Sequence, residues 1–348
     1  MFTDFAVPAL CHRLSSGSAE MRSHACRLLG EMAFRHPDTC RAITSHVHHE
    51  LVMSKLLRMM DSDERCDAGL VLNNCAAFCE QSCKRMVECP GLVEKFKAMA
   101  TCNTSLALTA HQQLAASIAI GVFNCLSRSP ALAQVLVEAR VVEEALAPAL
   151  CASGKSDQHE AMLALAAMTM ANLTGNIAVV DQEREHLTNV AIATTVKILG
   201  FALDGKRWGG TNFAPYSIVY PLNNQAANPQ NREQLVGCGL LPLLARLIDD
   251  WDPDGHNANE TLLLLVTLTS HFTGALPWQE RMRAGGVVGA LEKVRGRSRG
   301  ESVECSKKAE HLLDVLMQGQ LAVCMGLHSR LGAESSLQCL DDNPAGII

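Results

Sequence analysis

At 348 residues and a formal net charge of −6, from 30 Lys and Arg against 36 Asp and Glu, the chain lacks the basic footprint of a nucleic-acid binder. Hydrophobic residues make up 48% and aromatic residues only 4%, so any large core must be built from Ala, Leu, Val and Met. That balance favours closely packed helices over β-sandwiches, which draw on Val, Ile, Tyr, Phe and Trp.

The chain begins Met1-Phe2-Thr3-Asp4, without the positively charged start of a secretory signal. One pattern then recurs: a small or β-branched residue, five further positions, and a polar residue usually followed by an apolar one. It appears as Ala25…Glu31-Met32, Ala68…Asn74-Cys75, Ile118…Asn124-Cys125 and Ala166…Asn172-Leu173. Ile218…Asn224, Thr261…Thr267-Leu268 and Ala309…Val315-Leu316 continue it, at intervals of 43, 50, 48, 52, 43 and 48 residues. Such spacing is that of a two- or three-helix repeat. Repeats pack only on their neighbours, so the core grows along an axis and the length sets no domain count.

Each unit reads as a long helix carrying the polar position, a short helix, and a third apolar helix. The clearest copy predicts these over 216–227, 228–236 and 238–248, with Gly239 ending the short helix and Pro242 in a tolerated first-turn position. Another copy ends its short helix at Gly286. Capping residues open the long helices, as at Asp61-Ser62-Asp63-Glu64 and Ser156-Asp157. Residues 98–127 and 161–180 carry no Asp, Glu, Lys or Arg and match a membrane span in length, but both hold the repeat pattern and internal Asn or Gln. They read as core helices, and no membrane partner is expected. The fifteen cysteines are odd in number and sit mostly in apolar helical stretches, as Cys26, Cys75, Cys125 and Cys238 do. Reduced thiols follow, and with them a cytoplasmic or nuclear location. Residues 326–348 lack helical periodicity and read as a flexible tail behind a repeat domain over 1–325.

The segment 222–247, LNNQAANPQNREQLVGCGLLPLLARL, resembles the armadillo repeat of β-catenin and importin-α. Leu72-Asn73-Asn74-Cys75-Ala76 and Met170-Ala171-Asn172-Leu173-Thr174 are similar to the helix that lines the groove in that family. The resemblance covers about residues 15–320 and weakens at both ends. It implies an all-α, right-handed superhelical solenoid of about six to seven repeats, whose concave groove holds an extended or helical segment of another protein. It also implies that Asn74, Asn124, Asn172 and Asn224 form a ladder facing a ligand backbone, because a carboxamide offers both a donor and an acceptor. The competing reading is that these amides bond only to neighbouring helices. Importin-α commonly places Trp four residues before that Asn; here Leu70, Ile120, Met168 and Tyr220 stand there, which argues against ordinary basic-cargo recognition.

The remaining motifs are weak. Asp250, Asp252, Asp254 and Gly255 imitate the start of a calcium loop, but Glu260 falls one position short of the closing Glu. Cys75, Cys79, Cys83 and Cys89 lack the paired spacing of a zinc site and read as core. His46, His48 and His49 form no metal motif, and Gly154-Lys155-Ser156 lacks the first glycine of a phosphate loop. Lys293, Arg295, Arg297 and Arg299 read as a solvated basic loop. The expectation is a protein-binding scaffold or adaptor, not an enzyme, with no cofactor, metal or small-molecule substrate. The alternatives are the regulatory solenoid of a larger TIR-type enzyme and an importin-α-like transport receptor.

Overall fold

The computed structural model describes residues 2–15, 18–45, 49–101, 109–152, 156–174, 182–249, 256–269, 276–297 and 305–316. The calcium-like residues 250–255, His46, His48, Gly154, Lys155, Arg299 and the tail 326–348 lie outside them. Among the described residues the structure is helical, with one isolated antiparallel bridge, Trp208–Thr211. By its internal contacts the chain divides into two compact units, Met1–Ala214 and Pro215–Ile348.

In the first unit α1 (Phe2–Arg13) precedes a recurring triplet. Long α2 (Ala19–Ala33), short α3 (Pro37–Ser45) and third α4 (His49–Met59) make one copy. Long α5 (Arg65–Phe78), short α6 (Glu80–Glu88) and third α7 (Leu92–Thr101) make the next. Long α8 (Ala110–Leu126) and short α9 (Pro130–Glu138) follow, then a π-turn over Val142–Leu146 that runs into α10 (Ala147–Cys151). The wide turn has a local cause: Pro148 has no N–H to give the Glu144 carbonyl, and the Ala147 N–H reaches back five residues to Val142. Long α11 (Asp157–Thr174) starts the fourth copy.

That copy departs from the expected order. Its short and third helices are fused into α12 (Gln182–Leu203), a single rod of 22 residues. Beyond α12 the chain turns through Gly209 and Gly210, at φ +54° and +72°, and lays Trp208 back on the start of α11. The Trp208 indole N–H donates to the Glu160 carbonyl at 2.9 Å, and its ring meets Phe201 edge-on at 4.9 Å. A Cβ at Gly209 would lie 2.3 Å from the Ala161 nitrogen, so no other residue fits that turn.

Successive long helices pack on one another, α2 on α5, α5 on α8 and α8 on α11, while short α3, α6 and α9 form a second row. Polar ties across the long-helix row span one repeat each: Ser23 to Asp67, Asn74 to the Gly30 carbonyl, and Ser156 to Gln113 are separated by 44, 44 and 43 residues. The period read from the sequence is therefore the register of the packing.

In the second unit α13 (Pro215–Ala227), α14 (Pro229–Gly237) and α15 (Leu240–Asp249) form a triplet, and α16 (His256–Thr269), α17 (Leu276–Ala284) and α18 (Val287–Arg297) another, with a further helix over 305–316. Long α13 packs on α16, and third α15 on α18. The predicted boundaries of the first triplet hold to within two residues. Gly91, Gly239 and Gly286 end short helices in left-handed conformation, at φ +78°, +84° and +76°. In the third copy Arg140 takes that role at φ +58°, against the preference of any residue with a Cβ.

Candidate functional site

The four asparagines of the expected ladder occupy equivalent places but different depths. Asn74 is half-buried, and its amide nitrogen donates to the Gly30 carbonyl at 3.0 Å. Asn124 is 5% exposed and Asn172 is wholly buried. The Asn172 amide donates to Ser127 Oγ at 3.0 Å and reaches Asn124 Oδ1 at 3.5 Å, so these two carboxamides tie α8 to α11. Asn224, in the second unit, is half-buried. The residues four positions earlier divide in the same way. Leu70 and Tyr220 are exposed, whereas Ile120 and Met168 are buried in the packing of α8 and α11.

Sequence reasoning missed the neighbouring carboxamide, Asn73. It is half-buried, makes no hydrogen bond among the described residues, and stands beside Gly121, where a Cβ would come within 2.8 Å of Asn73 Oδ1. The Asn-Asn doublet thus divides its work: Asn74 ties α5 back to α2, and Asn73 faces α8 with its donor and acceptor free. The doublet itself was the available signal, since two adjacent helical positions cannot face the same way.

The exposed apolar side chains supply the clearest pattern. Among the described residues, the large ones are Met21, Leu28, Phe34, Leu70 and Leu114 in the first unit, and Tyr216, Tyr220 and Leu263 in the second. Every one lies on a long helix or, for Phe34, at its C-cap. Among the described residues, the short and third helices expose no large apolar side chain. Isolated exposed apolar residues are ordinary, but confinement to one class of helix is not. Charge is sparse beside Leu70 and Leu114: α8 carries no Asp, Glu, Lys or Arg, and α5 carries none after Asp67.

The thiols serve the fold. Cys40 and Cys83 each donate at 3.2 Å to a carbonyl near the end of the preceding long helix, Ala33 and Ala76. In the second unit Arg232, 7% exposed, does the same for Ala226 at 2.7 Å, where its charge also meets the negative end of α13. Burial pushes the Cys26 and Cys83 thiols up to about 12 and Cys11 up to about 11. Cys75 is raised by its hydrogen bond with Cys40 and by burial. Among the described residues no three His, Cys, Asp or Glu side chains gather as a metal site would require. Lys293 and Asp249 pair at 2.8 Å, which spends one charge of the expected basic loop on packing α18 against α15.

Length and composition would let 185–203, within α12, cross a membrane, although 44% of that window is buried inside the protein. No family model matches the chain, and no curated protein matches it. Among solved structures it is similar to a crystal structure of an engineered protein at 16% identity, covering 95% of this chain and 85% of that one with a TM-score of 0.51. A designed armadillo repeat protein in complex with the peptide (KR)4 matches at 15% identity over 89% of this chain and 99% of that one, with a TM-score of 0.37. Another engineered protein matches at 18% identity over 90% and 97%, with a TM-score of 0.36. The first of these likenesses is one of fold alone, and it is the repeat-length ties within the chain that make it a helical repeat protein.

Proposed function

We propose that the chain is an armadillo-type interaction scaffold that holds a segment of another protein against its long helices, without chemistry of its own. The observation that carries this reading is that, among the described residues, the exposed large apolar side chains are confined to those helices. A right-handed superhelix of about six to seven repeats would present them on its concave side. On this reading Leu70 and Leu114 anchor the partner in the first unit and Asn73 pairs with its backbone. The buried Asn124 and Asn172 support the surface from below. Because α8 and the latter part of α5 are uncharged, the segment held there is apolar and neutral, unlike basic transport cargo. A cytoplasmic or nuclear location agrees with the buried thiols.

The test is capture of the partner by pull-down, followed by calorimetry on wild type and on Leu70→Asp with Leu114→Asp. Both side chains are exposed, at 38% and 46%, so the fold should tolerate the change. Anchors of this kind are worth about 2 kcal/mol or more, so affinity should fall at least about thirtyfold at an unchanged melting temperature. Full affinity in the double variant would remove this face from the function.

A further inference from the structure

Away from the long-helix face, the first unit contains a cavity of about 440 Å³ between α4 and α6. Its size is that of a small-molecule site. Met53, Leu57 and Pro90 give it an apolar wall, and Arg85 and Glu88 bring opposite charges from α6. Arg85 is half-buried and Glu88 exposed at the rim, and among the described residues neither charge has a hydrogen-bond or ion-pair partner. A partly desolvated guanidinium with nothing to bind is unfavourable, and a carboxylate on it gains two parallel charge-assisted bonds. Burial also pushes the thiol of Cys89, another lining residue, up.

We propose that this cavity binds a zwitterion of the α-amino-acid type with an apolar side chain. Its carboxylate sits on Arg85, its ammonium on Glu88, and its side chain against Met53, Leu57 and Pro90. The spacing suits that ligand. Positions i and i+3 of a helix share a face with Cβ atoms about 5–6 Å apart, and an amino acid carries its two charges on one carbon. A simple anion would meet repulsion from Glu88, and a simple cation from Arg85. The site is independent of the partner surface, with which it shares no residue.

Isothermal titration calorimetry on the full chain tests this with L-leucine and L-methionine as probes. N-acetyl-L-leucine, which lacks the ammonium, and L-leucinamide, which lacks the carboxylate, serve as blocked forms. Saturable binding of the free amino acids is expected, with each blocked form weaker by about tenfold or more. Arg85→Met should weaken leucine and abolish its advantage over leucinamide; Glu88→Gln should abolish its advantage over N-acetyl-leucine. Neither change breaks a hydrogen bond of the fold, so both variants should melt as wild type. Leu57→Trp, which fills the cavity, should remove binding. Three results would overturn the proposal: no saturable heat at about 10 mM probe, a level well above millimolar dissociation constants; equal affinity for free and blocked forms; or unchanged affinity in the variants. The first is also what an Arg85–Glu88 pair closed on itself would give.

Discussion

Replacing Asn172 by Ala should destabilise the first unit without needing any partner. The side chain is wholly buried, and its amide is held by Ser127 Oγ at 3.0 Å and, more weakly, by Asn124 Oδ1 at 3.5 Å. The first bond is worth about 0.5–1.5 kcal/mol net, and a buried acceptor left without its donor adds about 1–3 kcal/mol. Asn124 Oδ1 is the atom at risk, because Ser127 Oγ keeps its own bond to the Asn124 carbonyl at 2.9 Å. The sum is about 2–4 kcal/mol. At about 2–4 °C per kcal/mol for a body of this size, the melt should fall by roughly 4–16 °C. Thermal and urea unfolding by circular dichroism, on Asn172→Ala, Asn124→Ala and the pair, would measure it. Since the two side chains share partners, the double variant should lose less than the sum of the singles. An unchanged melt for Asn172→Ala would refute the structural role and return this rung to the ligand side.

Gly209→Ala should force the hairpin off α11, costing roughly 2–4 kcal/mol through backbone overlap and its left-handed φ, and Trp208 fluorescence should shift to the red at an early step of the melt. Arg140→Gly should act in the opposite direction, raising stability by about 0.5–1 kcal/mol in chemical unfolding, because φ +58° costs nothing without a Cβ; a loss would show that the Arg140–Glu144 contact at 3.8 Å outweighs the strain. Lys97 reaches the Ala139 carbonyl and Glu144 at 2.8 and 2.9 Å. Burial pulls its ammonium down, but the hydrogen bonds it donates to Glu94 and Glu144 outweigh that and hold it above the usual lysine value, while Lys97 holds Glu144 below the usual carboxylate value. A raised lysine stabilises below its unfolded value and a lowered carboxylate above its own, so this contribution spans about pH 5 to 10 and fades on both sides. Lys97→Met should flatten the pH–stability profile at both ends, and an unaltered profile would show that the cluster is not coupled to folding.

The repeat period was legible because burial imposes it: Ala25, Ala68, Ile118 and Ala166 are all core residues, so the pattern is the packing written along the chain. The turn at Gly239 was legible for a different reason, since few residues but glycine tolerate its φ. Depth within the ladder was not. Asn74 and Asn172 look alike in sequence, but one lies beside α2 and the other is sealed by its neighbours, which only tertiary packing decides. The choice between Asn73 and Asn74 turns on about 100° of helix rotation, finer than a pattern with ragged intervals can fix. The fusion within α12 left a trace that went unread, because no Gly or Pro interrupts 182–199. The cavity left none, as Met53 and Arg85 come from helices in different copies.

The fused α12 alters how the molecule can come apart. In a stack of short helices each hinge is a place where unravelling can pause, and a terminal copy can peel away alone. A rod of 22 residues extends about 33 Å without such a hinge, and the Trp208 clasp returns its far end to α11. Fraying that enters the first unit at its C-terminal end must therefore release the rod and the clasp together. The fourth copy works as a bookend, and loss of order should start instead at the N-terminal copies, where α1 has no such fastening.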